Sequence, residues 1–181
     1  MTENPISPDE LEKLALDSYR SGHLEESIER FTLARQQYLY DQNPNKAAEI
    51  ANNLCVVMLA AKQPQAALEI VRETPDFFIS QGDEIHAAQA YGNLASALEA
   101  CGETTAAEEA YRQAIEIFKK QGDTENYSST LQALSRLQLR QGNPLDALST
   151  MQGGLDSMPK ARIRDRVLRR LLKWPFRLLG R

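Results

Sequence analysis

The sequence predicts an all-α fold, a superhelical solenoid of four helix pairs closed by a basic C-terminal helix. Three observations carry this reading. Leu14, Leu54, Leu94 and Leu134 stand 40 residues apart. The same interval separates the turn positions Gly22, Lys62, Gly102 and Gly142, the small residues Ser27, Ala67, Ala107 and Ala147, and the large residues Phe31, Val71, Tyr111 and Met151. A fixed period of this length marks one supersecondary unit written several times and stacked on itself. Composition agrees: apolar residues make up 42% of the 181-residue chain and charged residues 25%, which suits a folded domain with a real core rather than a disordered chain.

Each unit reads as a helix A followed by a helix B. Ser7-Pro8-Asp9-Glu10 opens the first A helix with an N-cap serine, a proline at the first helical position and a glutamate three residues on. Asn43, Asp83 and Asp123 repeat that cap, because a short oxygen-bearing side chain accepts from the first free amides. A helices are expected near 8–21, 45–61, 84–101 and 124–141, and B helices near 24–41, 64–80, 103–121 and 144–157. Leu11 and Leu14, Ala51 and Leu54, Tyr91 and Leu94, and Leu131 and Leu134 share one face at i, i+3 spacing. The residue after each leading leucine is small (Ala15, Cys55, Ala95, Ser135), which lets two backbones approach. Gly22, Gly102 and Gly142 end A helices, and Pro64 and Pro144 begin B helices. Unit two is irregular: Lys62 replaces the turn glycine and Thr74-Pro75 interrupts helix B, which predicts a kink. The expected organisation is a disordered stretch over 1–6, four repeats at about 7–43, 44–82, 83–122 and 123–159, and a basic amphipathic segment over 160–181.

The period, the small residue after the helix A leucine, the turn glycine, the helix B alanine and the aromatic four residues later together resemble the tetratricopeptide repeat. Gly102, Ala107, Tyr111 and Ala114 match it best. The resemblance spans about residues 7–159, with six residues more per unit than the usual repeat. It implies a superhelix whose inner wall, lined by A helices, holds extended peptides or partner helices. Asn53 and Asn93 occupy equivalent positions on that wall, where an amide that both donates and accepts can pair with a partner backbone. Bonding to neighbouring helices or water is the other reading of the same residues. Asn52, Gln89, Gln132 and Arg136 are expected on the same wall, with Tyr19 and Arg140 near its ends. The best-known peptide-binding version of the family grips a terminal carboxylate with a Lys/Arg/Asn clamp. Asn53 stands at one clamp position, but Glu12, Leu16, Gln89 and Asn93 stand at others and none is cationic. The resemblance therefore does not imply chaperone-tail binding.

No catalytic chemistry is predicted. His23 and His86 read as surface or cap residues, and no phosphate loop, nucleophile motif or metal-ligand spacing occurs, so neither cofactor nor metal is expected. Glu108-Glu109 cannot form a dyad, because adjacent helix positions do not face one another. Cys55 and Cys101 read as core thiols. The N-terminus lacks a basic start and an apolar run, and no stretch nears the length of a spanning helix, so a cytoplasmic location is expected.

The net charge of −4 conceals a division. Residues 1–159 carry 12 basic against 24 acidic side chains, a net of −12, whereas 160–181 carry 9 basic side chains against Asp165 alone, a net of +8. The tail spaces its leucine pairs between bases, a basic amphipathic pattern broken at Pro175. It admits three readings: a cap on the last core face of the array, a membrane-surface anchor through Arg169, Arg170, Lys173, Trp174 and Arg177, or a nucleic-acid contact that the acidic body opposes. Leu171 and Trp174 fall four whole periods after Leu11 and Leu14, which favours capping. The expected function is a non-catalytic scaffold that binds a protein or peptide in its concave groove, with a peripheral membrane adaptor as the alternative.

Overall fold

A computed structural model describes residues 6–156. Its helices are α1 (Pro8–Arg20), α2 (Leu24–Tyr40), α3 (Pro44–Ala60), α4 (Pro64–Val71), α5 (Thr74–Ser80), α6 (Glu84–Ala100), α7 (Thr104–Gln121), α8 (Thr124–Arg140) and α9 (Pro144–Asp156). Helix A of each unit is α1, α3, α6 or α8; helix B is α2, the split pair α4/α5, α7 or α9. Apart from the two halves of the split helix, α4 and α5, each helix packs on its successor in the chain, and α6 also receives α3 and α4, so the units lean on one another as in a solenoid.

All four A helices start where a side chain caps them. Ser7, Asn43, Asp83 and Asp123 accept from the amides of Glu10, Lys46, His86 and Asn126 at 3.1–3.2 Å. His86 is thus a first-turn residue; its ring contacts Asp83 at 2.7 Å and stacks on Phe78. His23, Gln63 and Glu103, which precede the first three B helices, make no side-chain cap.

The turns follow a shorter rule than the 40-residue repeat. Gly22, Gln42, Lys62, Gly82, Gly102, Gly122 and Gly142 all have positive φ, and they fall every 20 residues. After each, the next amide donates to the carbonyl five residues earlier, from His23 to Ser18 through Asn143 to Gln138, at 2.8–3.0 Å. This is the Schellman closure, which satisfies a carbonyl left free at a helix end. A and B helices therefore end in the same way. A Cβ built on any of the five turn glycines would meet nothing within 4 Å, so their role is conformational rather than one of close packing. Gln42 (φ 55°) and Lys62 (φ 59°) hold the same conformation with a side chain attached. Left-handed backbone costs a non-glycine residue about 1–2 kcal/mol, partly offset by the lower chain entropy of the unfolded state. Gln42→Gly and Lys62→Gly are each expected to raise stability by up to about 1 kcal/mol, read as a rise in thermal midpoint of a few degrees. No rise in either variant would mean that these turns carry no strain.

The core is built from the small positions. Ala15, Cys55, Ala95 and Ser135 on A helices and Ser27, Ala67, Ala107 and Ala147 on B helices are all buried. Ser27 Oγ donates to the Ala15 carbonyl at 2.9 Å, and Ser135 Oγ donates to the Ala147 carbonyl at 3.1 Å. These bonds place the two helices of a hairpin in contact at equivalent points of units one and four. Around the contacts lie Phe31, Val71, Tyr111, Leu54 and Leu134, each at most 4% exposed. Burial also pushes the Cys55 thiol up to about 12, so it remains protonated and inert.

In unit two, helix B divides at Thr74-Pro75. Pro75 has no amide to give to the Val71 carbonyl, and the Thr74 hydroxyl stands 2.8 Å from that oxygen in its place. It also lies 3.2 Å from Asn52 Oδ1, which ties the break to α3.

Candidate functional site

Residues repeated at i, i+4, i+7 and i+11 form one stripe down each A helix. On α3 the stripe is Glu49, Asn53, Val56 and Ala60; on α6 it is Gln89, Asn93, Ser96 and Ala100; on α8 it is Ser129, Ala133, Arg136 and Arg140. Members of these stripes line two adjoining hollows. One, of about 380 Å³, includes Asn52, Asn53, Gln89, Asn93, Asn126 and Thr130. The other, of about 910 Å³, includes Ser96, Glu99, Tyr111, Ala133, Arg136 and Arg140. Ser96, Tyr111 and Ala133 belong to both, so the two form one continuous groove. It lies where α6 and α8 approach each other less closely than α3 and α6 do. Tyr111 and Phe118 of α7 line the space between α6 and α8.

Of the residues expected on the inner wall, Asn52, Asn53, Gln89 and Asn93 meet at one end of this groove and Arg136 lines the other. Gln132 is exposed but lines neither hollow. The two amides at equivalent positions behave differently. Asn53 is half-buried with no hydrogen bond among the described residues, whereas Asn93 Nδ2 reaches back to the Asn52 carbonyl at 3.4 Å. Asn52 is 6% exposed, and its side-chain oxygen faces Thr74. Its oxygen therefore ties the kink to the groove wall, while the residue still lines the smaller hollow.

The second end is polar and charged. Arg140 pairs with Glu99, and the Tyr111 hydroxyl donates to Glu99 at 3.0 Å and lies 3.2 Å from Ser96 Oγ. Burial raises the Tyr111 pKa, although the Ser96 bond and the nearby Arg136 charge pull against it, so the hydroxyl stays a neutral donor at ordinary pH. Arg136 is exposed and makes no ion pair or hydrogen bond among the described residues. Glu99, Tyr111 and Phe118 were not expected in the site. The first was hidden because its partner lies 41 residues away, and the aromatic pair because B helices read only as core.

A separate hollow of about 860 Å³ lies among α2, α3, α4 and α5, with Leu39, Met58 and Phe77 on its walls. Arg35 and Arg72 there are matched by Glu69 and Glu73, so it has no net charge with which to choose a partner. Arg169, Arg170, Lys173, Trp174 and Arg177 lie outside the described residues. Among those described, no helix is long and apolar enough to cross a membrane, and no cluster of His, Cys, Asp and Glu could hold a metal.

Residues 86–160 match the tetratricopeptide repeat family. No curated protein matches the chain. Among solved structures, BtubC from P. vanneervenii is similar at a TM-score of 0.75 and 19% identity, over 86% of this chain and 67% of its own. The apo form of RapI is similar at 0.77 and 18%, over 86% of this chain and 57% of its own, so this chain spans little more than half of RapI's length. TPR-like repeats from Podosopora anserina align at 0.73 and 17%, over 93% of this chain and 84% of theirs. At these identities the likeness is one of fold.

Proposed function

We propose, for a chain that belongs to the tetratricopeptide repeat family, the role of a non-catalytic scaffold that holds a peptide or helix of a partner protein in the groove along α3, α6 and α8. The observation that carries this reading is the groove itself. A continuous channel runs along α6 and α8, which approach each other less closely than α3 and α6, and unpaired polar groups line it. Asn53 and Gln89 form no hydrogen bonds among the described residues, and Asn53, half-buried, has its amide only partly hydrated. A polar group in that state gains when a partner backbone supplies the missing bond. Val56, 38% exposed, stands one turn beyond Asn53 on the same stripe, outside the two hollows. The histidines support a non-catalytic reading: His86 is held in a helix cap, and His23 lies at a helix start beside Glu26.

The test is affinity capture from a native lysate, with partners identified by mass spectrometry. The baits are the full chain, its Asn53→Ala/Asn93→Ala variant and residues 1–159. Each lost hydrogen bond contributes about 0.5–1.5 kcal/mol, so the double variant should retain its helical circular dichroism and capture its partner roughly tenfold more weakly. Capture that survives the double variant and disappears with residues 160–181 would sink the groove reading. It would favour instead a membrane-surface adaptor held by the basic tail, which salt-sensitive flotation with anionic liposomes would then register.

A further inference from the structure

We infer that the partner segment held in this groove is acidic, with Arg136 receiving one of its carboxylates; this inference rests on the groove reading above. Charge distribution is the ground for it. Residues 6–156 contain 23 Asp and Glu against 12 Lys and Arg, so most of this surface repels an acidic peptide. The groove is the exception. Of those 23 acidic side chains, Glu99 alone lines it, and Arg140 neutralises Glu99. Arg136 is left over, which gives the lining a net positive charge inside a negative body.

The geometry around Arg136 suits a carboxylate. Its guanidinium is exposed, carries a planar fork of donors and spends none of them within the described residues. The Tyr111 hydroxyl and Ser96 Oγ line the same hollow, but their hydrogens go to Glu99 and to the Gly92 carbonyl, so Arg136 is the donor left there for an incoming carboxylate. Glu99 has a second role here. By pairing with Arg140 it occupies that arginine and leaves Arg136 as the uncompensated cation of the lining. Toward the other end the lining carries no charge: Asn53 and Gln89 offer amides that fit any backbone, while Asn93, Asn126, Ser129 and Thr130 hold bonds within the chain. The groove is thus divided into a sequence-tolerant half and a half that selects an acid. Arg136 is unlike its counterparts, since Val56 and Ser96 hold the equivalent positions in units two and three. The selective element is therefore particular to one step of the array.

A random twelve-residue peptide library displayed on phage tests this directly, selected on the full chain, on Arg136→Glu and on Asn53→Ala/Asn93→Ala. Arg136 is exposed, so its replacement should leave helical content unchanged, which circular dichroism checks. On the full chain, Asp or Glu should be enriched roughly fivefold at one register of the recovered sequences, the selectivity of about 1 kcal/mol expected of a partly exposed charged pair. On Arg136→Glu that enrichment should disappear, and Lys or Arg should take its place. The amide double variant should weaken recovery without altering the preference. Recovered peptides with no acidic register, or an acidic register unaffected by Arg136→Glu, would overturn the inference and leave the groove reading standing. Recovery unaffected by both variants, or no recovery at all, would overturn the two together.

Discussion

Replacing Phe31 by Ala should destabilise the protein by about 3–5 kcal/mol, the range for emptying a buried aromatic site. Phe31 is 0% exposed, at the centre of the cluster that joins α1, α2 and α3 through Leu11, Ile50 and Leu54. Ala34 and Tyr38 continue its face of α2, so no neighbouring side chain is free to fill the space. At about 2–4 °C per kcal/mol for a chain of this length, the thermal midpoint should fall by roughly 10 °C. The distribution of the loss is as informative as its size. In a stacked array each unit contacts only its neighbours, so stability propagates from one to the next rather than through a single centre. Amide hydrogen exchange should rise first in α1, α2 and α3 while α8 keeps its protection. Equal loss of protection in every helix would show that the array unfolds as one cooperative unit.

The parts of this fold that were legible in the sequence are those fixed within one helical turn. Ser7, Asn43, Asp83 and Asp123 accept their cap bonds where short oxygen-bearing residues precede an apolar run, and Thr74-Pro75 breaks its helix because proline has no amide. The small residues after the A-helix leucines are buried, as close helix approach requires. The 20-residue turn rule was less visible. Two of its seven positions carry Gln42 and Lys62, whose left-handed backbone no propensity announces, and Gly82 and Gly122 stand at junctions between units, where no turn glycine was sought. Conformation at those points is imposed by the helices on either side.

The site was legible as a wall and not as a groove. The amides at 52, 53, 89 and 93 lie together because A-helix stripes repeat with the array, which periodicity alone can predict. Which amides are free depends on contacts between units. Asn52 and Asn53 are neighbours in sequence, yet one is spent on Thr74 and the other is open, since adjacent helix positions point 100° apart. The charge character of the groove depends on the Glu99–Arg140 pair, which joins different units. A sequence shows both residues as ordinary surface charges.

The second large effect is expected where stability and function share a residue. Ala107 is fully buried on α7 opposite the equally buried Ala95 on α6, at the hairpin contact that Ser27 and Ala15 mark in unit one. Ala107→Leu would force added carbons into a contact that has no space, at a cost of about 1–3 kcal/mol. Tyr111 lies one turn further along the same face of α7 and holds Glu99 and Ser96 of α6 through its hydroxyl. Pushing the two helices apart should therefore release Glu99 as well, leaving Arg140 free and the groove without its fixed wall. The variant is expected to lose both thermal stability and partner capture, whereas Thr105→Leu, an exposed change on the same helix, should lose neither. A second substitution isolates the mechanism. Ala95→Gly alone should be destabilising by about 1 kcal/mol as a glycine within a helix, but combined with Ala107→Leu it makes room for the larger side chain. The double variant should then lose less than the two single losses added together, a favourable coupling measured by thermal unfolding. Strict additivity would mean that α6 and α7 do not meet at these alanines, and that Tyr111 is held in the groove by some other contact.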